Sequence, residues 1–159
     1  MIILGPNTSK EILKVSIPEE FEYDVYFVEL QLNDSKDNSI SDNFYWMAED
    51  DDFTSLPTLP EVKLDVEVKK EEINKQIVYK LRLMNSSNNL AFFVNPSIRR
   101  GKRGEEVLPS FWSDNYFSIL PGKTKTLMVE FQKSDLDGEE AYLKLDGWNI
   151  VSQRIRISY

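Results

Sequence analysis

The sequence predicts an all-β fold, an antiparallel sandwich, and three observations favour that class. Apolar and charged residues alternate in residues 62–69, VKLDVEVK, and in several later segments, which is typical of strands with one buried face. No segment of helical length combines a 3.6-residue apolar period with capping residues. Turn-forming sequences separate the alternating segments, and many short strands joined in this way indicate a sandwich.

Three strands are predicted before residue 48. Residues 11–17 and 24–33 place apolar side chains at alternate positions, as one-sided strands do. Residues 39–47 end in the run 43–47, NFYWM, whose aromatic content favours a strand. We therefore place strands at 11–17, 24–33 and 39–47.

A connector is predicted at residues 49–61. Residues 49–52 are four consecutive acidic residues, and residues 56–60 read LPTLP. Charge repulsion and two prolines disfavour regular structure in such a segment. The sequence therefore predicts a boundary at 49–61, between a segment of about three strands at 1–48 and a separate domain at 62–159.

Seven strands are predicted after the connector, which is the number in a complete immunoglobulin-type sandwich. Pro121 and Gly122 are typical of a type II turn, and Asp137 and Gly138 also indicate a turn. The predicted strands are 62–70, 76–85, 90–98, 115–120, 124–132, 140–146 and 149–158. With only three strands, residues 1–48 would leave an apolar face that must pack on the complete domain, pair with a second chain or stay partly mobile.

Composition excludes several kinds of function. The 159 residues suit one domain, or one and a fragment of another, and 41% hydrophobic and 12% aromatic residues can form a core. Without cysteine there is no disulfide or thiolate metal site, and without histidine there is no Ser-His-Asp system or histidine zinc site. The net charge of −8 argues against a nucleic acid or an anionic membrane as partner. No apolar run is long enough to span a bilayer.

The charged candidates favour structural roles. Asp114 lies among aromatics, but no motif ties a second carboxylate to it, and Asp followed by Asn is typical of a turn. Residues 135–140, DLDGEE, lack the spacing of a calcium-binding EF-hand loop, and residues 49–52 fit a solvated connector better than a metal site. The basic residues 99–103 could meet an acidic sugar or a phosphate, but a solvated loop is favoured. We therefore predict no catalytic residue, no metal site and no cofactor.

Aromatic side chains are the remaining candidates. Trp46, Trp112, Tyr116 and Trp148 could stack on sugar rings, or they could fill a core or seal a contact between domains. Trp148 is expected in the core or at its rim. Trp112 and Tyr116 are expected in a loop, where packing between domains is favoured over ligand contact.

Two motifs carry a resemblance to a known family. They are NFYWM at 43–47 and LPSFWSDNYFSILPGK at 108–123. Their order and spacing resemble the C-terminal immunoglobulin-like region of family-2 glycoside hydrolases of the exo-β-D-glucosaminidase and β-mannosidase type. The resemblance implies that residues 1–48 are the last strands of a preceding sandwich, and that the catalytic carboxylates lie on a separate (β/α)₈ barrel outside this sequence.

The resemblance implies an accessory, non-catalytic domain. The parent enzyme would remove terminal β-linked glucosamine, or mannose, and the remaining domains of that hydrolase would be the partner. The candidate contacts with those domains or with an oligosaccharide are Trp46, Trp112, Asp114, Asn115 and Tyr116. Two alternatives stay open, namely an independent carbohydrate-binding module that uses Trp112 and Tyr116, and a secreted adhesion or scaffold sandwich. The resemblance also implies a periplasmic or extracellular location, and since Met1 begins no signal peptide, an export signal is expected outside this sequence.

Overall fold

The computed structural model describes residues 5–14, 25–73 and 76–157. It divides into two compact units, Met1–Phe53 and Thr54–Tyr159. The division falls inside the connector that was predicted at 49–61.

The first unit contains one antiparallel hairpin, formed by β1 (Val25–Asn33) and β2 (Ser39–Ala48). Asp34 organises the loop between the strands. Its side chain accepts hydrogen bonds from the Asn38 amide side chain (2.8 Å) and from the backbone N–H groups of Asn38 (2.9 Å) and Lys36 (2.7 Å). These bonds favour the ionised carboxyl group and lower the pKa of Asp34.

The prediction of a strand at 11–17 is wrong for the part that the structure describes. Residues 11–14 form no strand, and residues 15–17 lie outside the described residues. Alternation of apolar residues supplies one face of a strand, but a strand also needs a hydrogen-bonded neighbour. Both described strands of this unit pair with each other.

Both faces of the hairpin carry large apolar side chains. Tyr26 lies opposite Met47 on one face, and Phe27 lies opposite Trp46 on the other. Phe27 also stacks on Phe44, with 5.8 Å between the ring centroids. A strand pair with one face in water needs only one apolar side. Apolar side chains on both faces are typical of strands whose two faces are both covered by other parts of a protein.

The second unit is a sandwich of two four-stranded antiparallel sheets. One sheet has the order β10-β9-β5-β7, and the other has the order β3-β4-β8-β6. The strands are β3 (Asp65–Ile73), β4 (Gln76–Met84), β5 (Ala91–Arg100), β6 (Phe111–Trp112), β7 (Phe117–Ile119), β8 (Thr124–Glu130), β9 (Ala141–Asp146) and β10 (Gln153–Ile157).

The core lies between the two sheets and consists of their inward-facing side chains. Leu81 and Leu83 on β4 and Leu143 and Leu145 on β9 are almost completely buried, because alternate residues of a strand share one face. Tyr79 stacks on a neighbouring phenylalanine of the core, and its burial raises the pKa of its hydroxyl group. The predicted all-β immunoglobulin-like sandwich is thereby confirmed.

The observed strands of the second unit differ in detail from the predicted ones. The described part of the second unit has eight strands rather than seven, because the two-residue strand β6 is too short to show alternation. Strand β5 pairs irregularly with β7 between Ala91 and Val94, where Phe93 has a positive φ of 56°. Residues 62–64 and 149–152, which were assigned to strands, lie outside β3 and β10, apart from a single bridge that joins Val62 and Ile150.

Asn149 holds three segments of the second unit together. Its side-chain N–H groups donate to the carbonyl oxygens of Pro60 (2.7 Å) and Leu90 (2.8 Å), and its side-chain oxygen accepts from Phe92 N (2.8 Å). Its own carbonyl oxygen accepts from Val62 N (2.7 Å). The buried amide is thus satisfied by the backbone, as burial requires.

Residues 54–61 also pack on the sandwich. Leu56–Thr58 form a short 3-10 helix in which Leu56 is buried, and the indole N–H of Trp148 donates to the Leu56 carbonyl oxygen (3.0 Å). Proline fixes φ near the helical value, so it can start a helical turn as well as end a strand. This part of the predicted connector is therefore structured and belongs to the second unit.

Asn149→Ala should lower the free energy of unfolding of this chain by about 2–4 kcal/mol, because it leaves three backbone groups without partners. Urea unfolding followed by tryptophan emission measures the change. Asn88→Ala, at an exposed position of the turn before β5, is the matched control and should change it by less than about 0.5 kcal/mol. Equal effects would contradict the role of Asn149.

A protease that cuts after glutamate should cleave after Glu49 before it cleaves after Glu61. The peptide bond after Glu61 is fixed in place, because Pro60 and Val62 both form hydrogen bonds with Asn149. A backbone that is fixed by hydrogen bonds resists proteolysis. Mass spectrometry of a digestion time course gives the order of the two cuts. Asn149→Ala should speed the cut after Glu61 selectively, and a first cut after Glu61 in the unchanged chain would refute the expectation.

Candidate interaction surface

Residues 107–120 leave β5, cross to the other sheet through β6 and return beside β5 through β7, along one side of the sandwich. Strand β6 is the edge strand beside β8, and β7 is the edge strand beside β5. Val107 anchors the start of the crossing, since it is buried and its N–H donates to Ile98 O (2.8 Å). The buried Phe117 anchors its end. The resemblance motif at 108–123 therefore lies largely in this crossing segment.

The sequence predicts Trp112 in a loop, but the structure places it on strand β6. It pairs with Val129, and its ring packs against the core of the sandwich. Its indole N–H donates to Ser110 Oγ (3.2 Å). Its neighbour Phe111 points the other way and is 67% exposed, and Leu108 is 69% exposed. Because adjacent strand residues face opposite sides, the exposed aromatic of this strand is Phe111.

Asp114 and Asn115 form the turn that follows. One oxygen of Asp114 accepts from Asn115 N (2.8 Å), and the Asn115 side-chain oxygen accepts from Tyr116 N (2.9 Å). The other oxygen of Asp114 pairs with Lys125 Nζ at 2.6 Å, and this ammonium group also lies 5.4 Å from the Phe117 ring centroid. Asp114 therefore has the turn-forming role that the sequence favoured.

Tyr116 is exposed and rests on another aromatic side chain. It is 54% exposed, and its ring centroid lies 5.3 Å from that of Phe93. Its hydroxyl oxygen accepts from Asn95 Nδ2 (3.4 Å). Tyr116 and Phe93 both have positive φ, 52° and 56°, which is uncommon for bulky residues. Two unfavourable backbone conformations thus bring these two rings together.

The ring contacts continue to Trp148. Phe93 packs against Phe92 with 5.4 Å between centroids, and Phe92 meets Trp148 edge-on at 6.4 Å. Trp148 is 53% exposed, at the rim as predicted. Gly147 is required before it, because a Cβ there would lie 2.3 Å from Ile150 Cγ1. We call Tyr116, Phe93, Phe92 and Trp148 the aromatic row.

Trp46 lies in the other unit. It is 44% exposed on β2, opposite Phe27. Sequence reasoning did not identify Phe93 or Leu108 as surface residues. The positive φ of Phe93 has no signal in the sequence, and Leu108 was noted only as part of the motif.

Several of the charged candidates form ion pairs within the sandwich. Arg99 lies 3.5 Å from Glu106, Arg100 pairs with Asp137, and Arg156 pairs with Glu140. In the described ranges, no three acidic side chains converge as a metal site would require.

Asp146, at the end of β9, also has neighbours that fix its charge. Burial opposes its ionisation, but hydrogen bonds from Lys144 and Ser152 and the charges of Lys144 and Arg154 lower its pKa.

None of the described residues forms a helix that is long and apolar enough to cross a membrane.

The two sheets define an immunoglobulin-like sandwich, and comparison with known proteins narrows its class. Residues 43–150 match the family described as the exo-β-D-glucosaminidase Ig-fold domain. The chain belongs to this family.

Similar proteins are much longer than this chain. The exo-β-D-glucosaminidase of Arthroderma benhamiae is 29% identical over 94% of the chain, which corresponds to 18% of that protein. The exo-β-D-glucosaminidase of Amycolatopsis orientalis is 35% identical over 41% of the chain and 6% of its own length. A mannosylglycoprotein endo-β-mannosidase of Lilium longiflorum is 33% identical over 45% of the chain and 8% of its own length.

The fold also occurs within a solved structure. The crystal structure of the Amycolatopsis orientalis exo-chitosanase matches 90% of this chain with 19% of its own, at a TM-score of 0.75 and 23% identity. This likeness supports the fold. The chain therefore spans about a fifth of the length of that enzyme and of the Arthroderma relative.

Trp112→Ala should destabilise this chain by about 1–3 kcal/mol, since it removes a ring packed on the core. Phe111→Ala, at the adjacent residue, should change the free energy of unfolding by less than about 0.5 kcal/mol, because the ring is exposed. Thermal and urea unfolding of both variants test the assignment. A neutral Trp112→Ala together with a destabilising Phe111→Ala would reverse the facing of β6.

Proposed function

We propose that this chain is a non-catalytic, C-terminal accessory region of a longer family-2 glycoside hydrolase that acts on terminal β-linked glucosamine. Its role is to pack against the other domains of that enzyme and to support them. The observation that carries the proposal is the family match over residues 43–150, in a chain that aligns with about a fifth of an exo-β-D-glucosaminidase. A secreted enzyme of this kind would act in the periplasm or outside the cell.

The first unit supports this role. Its hairpin has apolar side chains on both faces, and Leu30, Leu32 and Ile40 are exposed together with Trp46. Two strands seldom form a stable sheet by themselves. The apolar faces fit strands that complete a sandwich with residues outside this sequence, which is the arrangement that a longer polypeptide would supply.

The chemistry of Asp114 supports a non-catalytic role for the crossing segment. Glycoside hydrolases of most families use two carboxyl groups on either side of the scissile bond, and one of them must carry a proton. Asp114 instead pairs with Lys125 Nζ through one oxygen and accepts a backbone N–H bond through the other. A carboxylate whose two oxygens are engaged in this way stabilises the turn rather than facing a substrate.

Mannose is the second candidate sugar for the parent enzyme. The similarity to the endo-β-mannosidase of Lilium longiflorum supports it, although that match covers less than half of the chain. Assays of the longer polypeptide with aryl β-glucosaminides and aryl β-mannosides distinguish the two sugars.

The chain alone should not hydrolyse aryl β-glucosaminides or aryl β-mannosides, because the proposal places the catalytic carboxyl groups on another domain. The longer polypeptide, assayed in parallel, should hydrolyse one of them. Release of the chromogenic phenol measures both. Turnover by the chain alone that disappears in Asp114→Asn would overturn the non-catalytic role. A reading frame without a second, barrel-forming domain would overturn the proposed parent enzyme.

A further inference from the structure

We propose that the aromatic row is a docking surface for a folded domain of the same polypeptide that lies outside residues 1–159. This inference rests on the proposed function and names the residues through which the sandwich would join the enzyme. Tyr116 and Trp148 are the exposed members of the row, and the half-buried Phe93 and the buried Phe92 lie between them.

The polar atoms of the row favour a protein partner over a sugar. The indole N–H of Trp148 already donates to Leu56 O, and the Tyr116 hydroxyl oxygen accepts from Asn95. The acceptors of Asp114 and Asn115 are engaged in their own turn. A sugar needs hydrogen-bond partners for its hydroxyl groups, whereas an apolar protein surface needs aromatic area whose polar atoms are satisfied.

Ring orientation supports the same choice. The planes of Phe92 and Phe93 are tilted by 43°, those of Phe93 and Tyr116 by 48°, and those of Phe92 and Trp148 by 67°. Rings at such angles form an uneven ridge rather than a flat platform for successive sugar rings. Aromatic side chains are enriched at the buried centre of protein interfaces.

The backbone strain of the row also points to a contact. Phe93 and Tyr116 both occupy the left-handed region, where a bulky residue costs free energy that glycine would not. In the sandwich these two residues form a pair of packed rings, of which that of Tyr116 is exposed. Such strain is retained when it positions side chains for another group.

The position of the row favours a partner from the same polypeptide. Trp148 holds Leu56, so the row lies beside the point where the chain enters the sandwich. A domain on the same chain would be tethered near this end, which raises its effective concentration there. The related enzymes have about four fifths of their length outside the matched region, and that length offers such a domain.

Hydroxyl-radical labelling of the isolated chain and of the longer polypeptide tests the docking. Tyr116 and Trp148 should be oxidised several-fold more slowly in the longer polypeptide, while Trp112, packed on its own core in both, should react at the same rate. Equal rates at Tyr116 and Trp148 would overturn the docking even if the longer polypeptide is an active hydrolase. Protection in a longer polypeptide without hydrolase activity would keep the docking and refute the proposed function. A gene that encodes nothing beyond these residues would refute both.

Glycine variants separate docking from a role in the sandwich itself. Tyr116→Gly relieves the backbone strain, so the melting temperature of the isolated chain should stay the same or rise, while Trp148 in the longer polypeptide should lose its protection. Asp37→Gly, at a similar φ of 61° in the β1–β2 loop, is the matched control and should leave that protection unchanged. A Tyr116→Gly variant that keeps full protection would contradict the docking. Protection of the isolated chain's rings by glucosamine oligosaccharides would replace the protein partner with a sugar.

Discussion

The second unit depends on one buried side-chain amide. Asn149 bonds to Pro60 and Leu90 through its N–H groups and to Phe92 through its oxygen. Pro60 lies before β3, and Leu90 and Phe92 lie at the start of β5. The amide therefore joins the segment that leads into β3 to the sheet that contains β5. In a low-dielectric interior each of these bonds is costly to leave unmade. The exposed Trp148 directly precedes Asn149. The hydrogen bonds of Asn149 therefore also fix the position of the aromatic row.

A second amide closes the sandwich on the same side. The Gln153 side chain accepts from Leu64 N (3.2 Å) and donates to Leu64 O (3.0 Å), as a neighbouring strand would. Strands β3 and β10 are the outer strands of their sheets on this side, so a side chain connects them where no ladder does. On the opposite side, β6 and β7 are only two and three residues long. Short edge strands offer little template for pairing with other chains.

The sandwich could be predicted from the sequence, because its core is built from strands in which apolar and polar residues alternate. The inward-facing residues of each strand, such as Leu81 and Leu83 on β4, recur at every second position. This pattern does not depend on the conformation of the loops. The sequence was insufficient for the surface, which depends on single backbone conformations. Trp112 and Phe111 are equally aromatic, and only the register of a two-residue strand decides which is exposed. The irregular pairing at Phe93 and the bonds of Asn149 join residues distant in sequence, and local patterns do not record them.

The attachment of residues 54–62 also determines how the sandwich carries load. A pull on the chain at Thr54 would first meet the bond between Trp148 and the Leu56 carbonyl group, and then the Asn149 bonds to Pro60 and Val62. These bonds lie ahead of β3, so tension reaches the rim of the sandwich before it reaches the first ladder. Tension applied at this end of the second unit would therefore act on side-chain bonds at the rim before it acts on the backbone hydrogen bonds of β3.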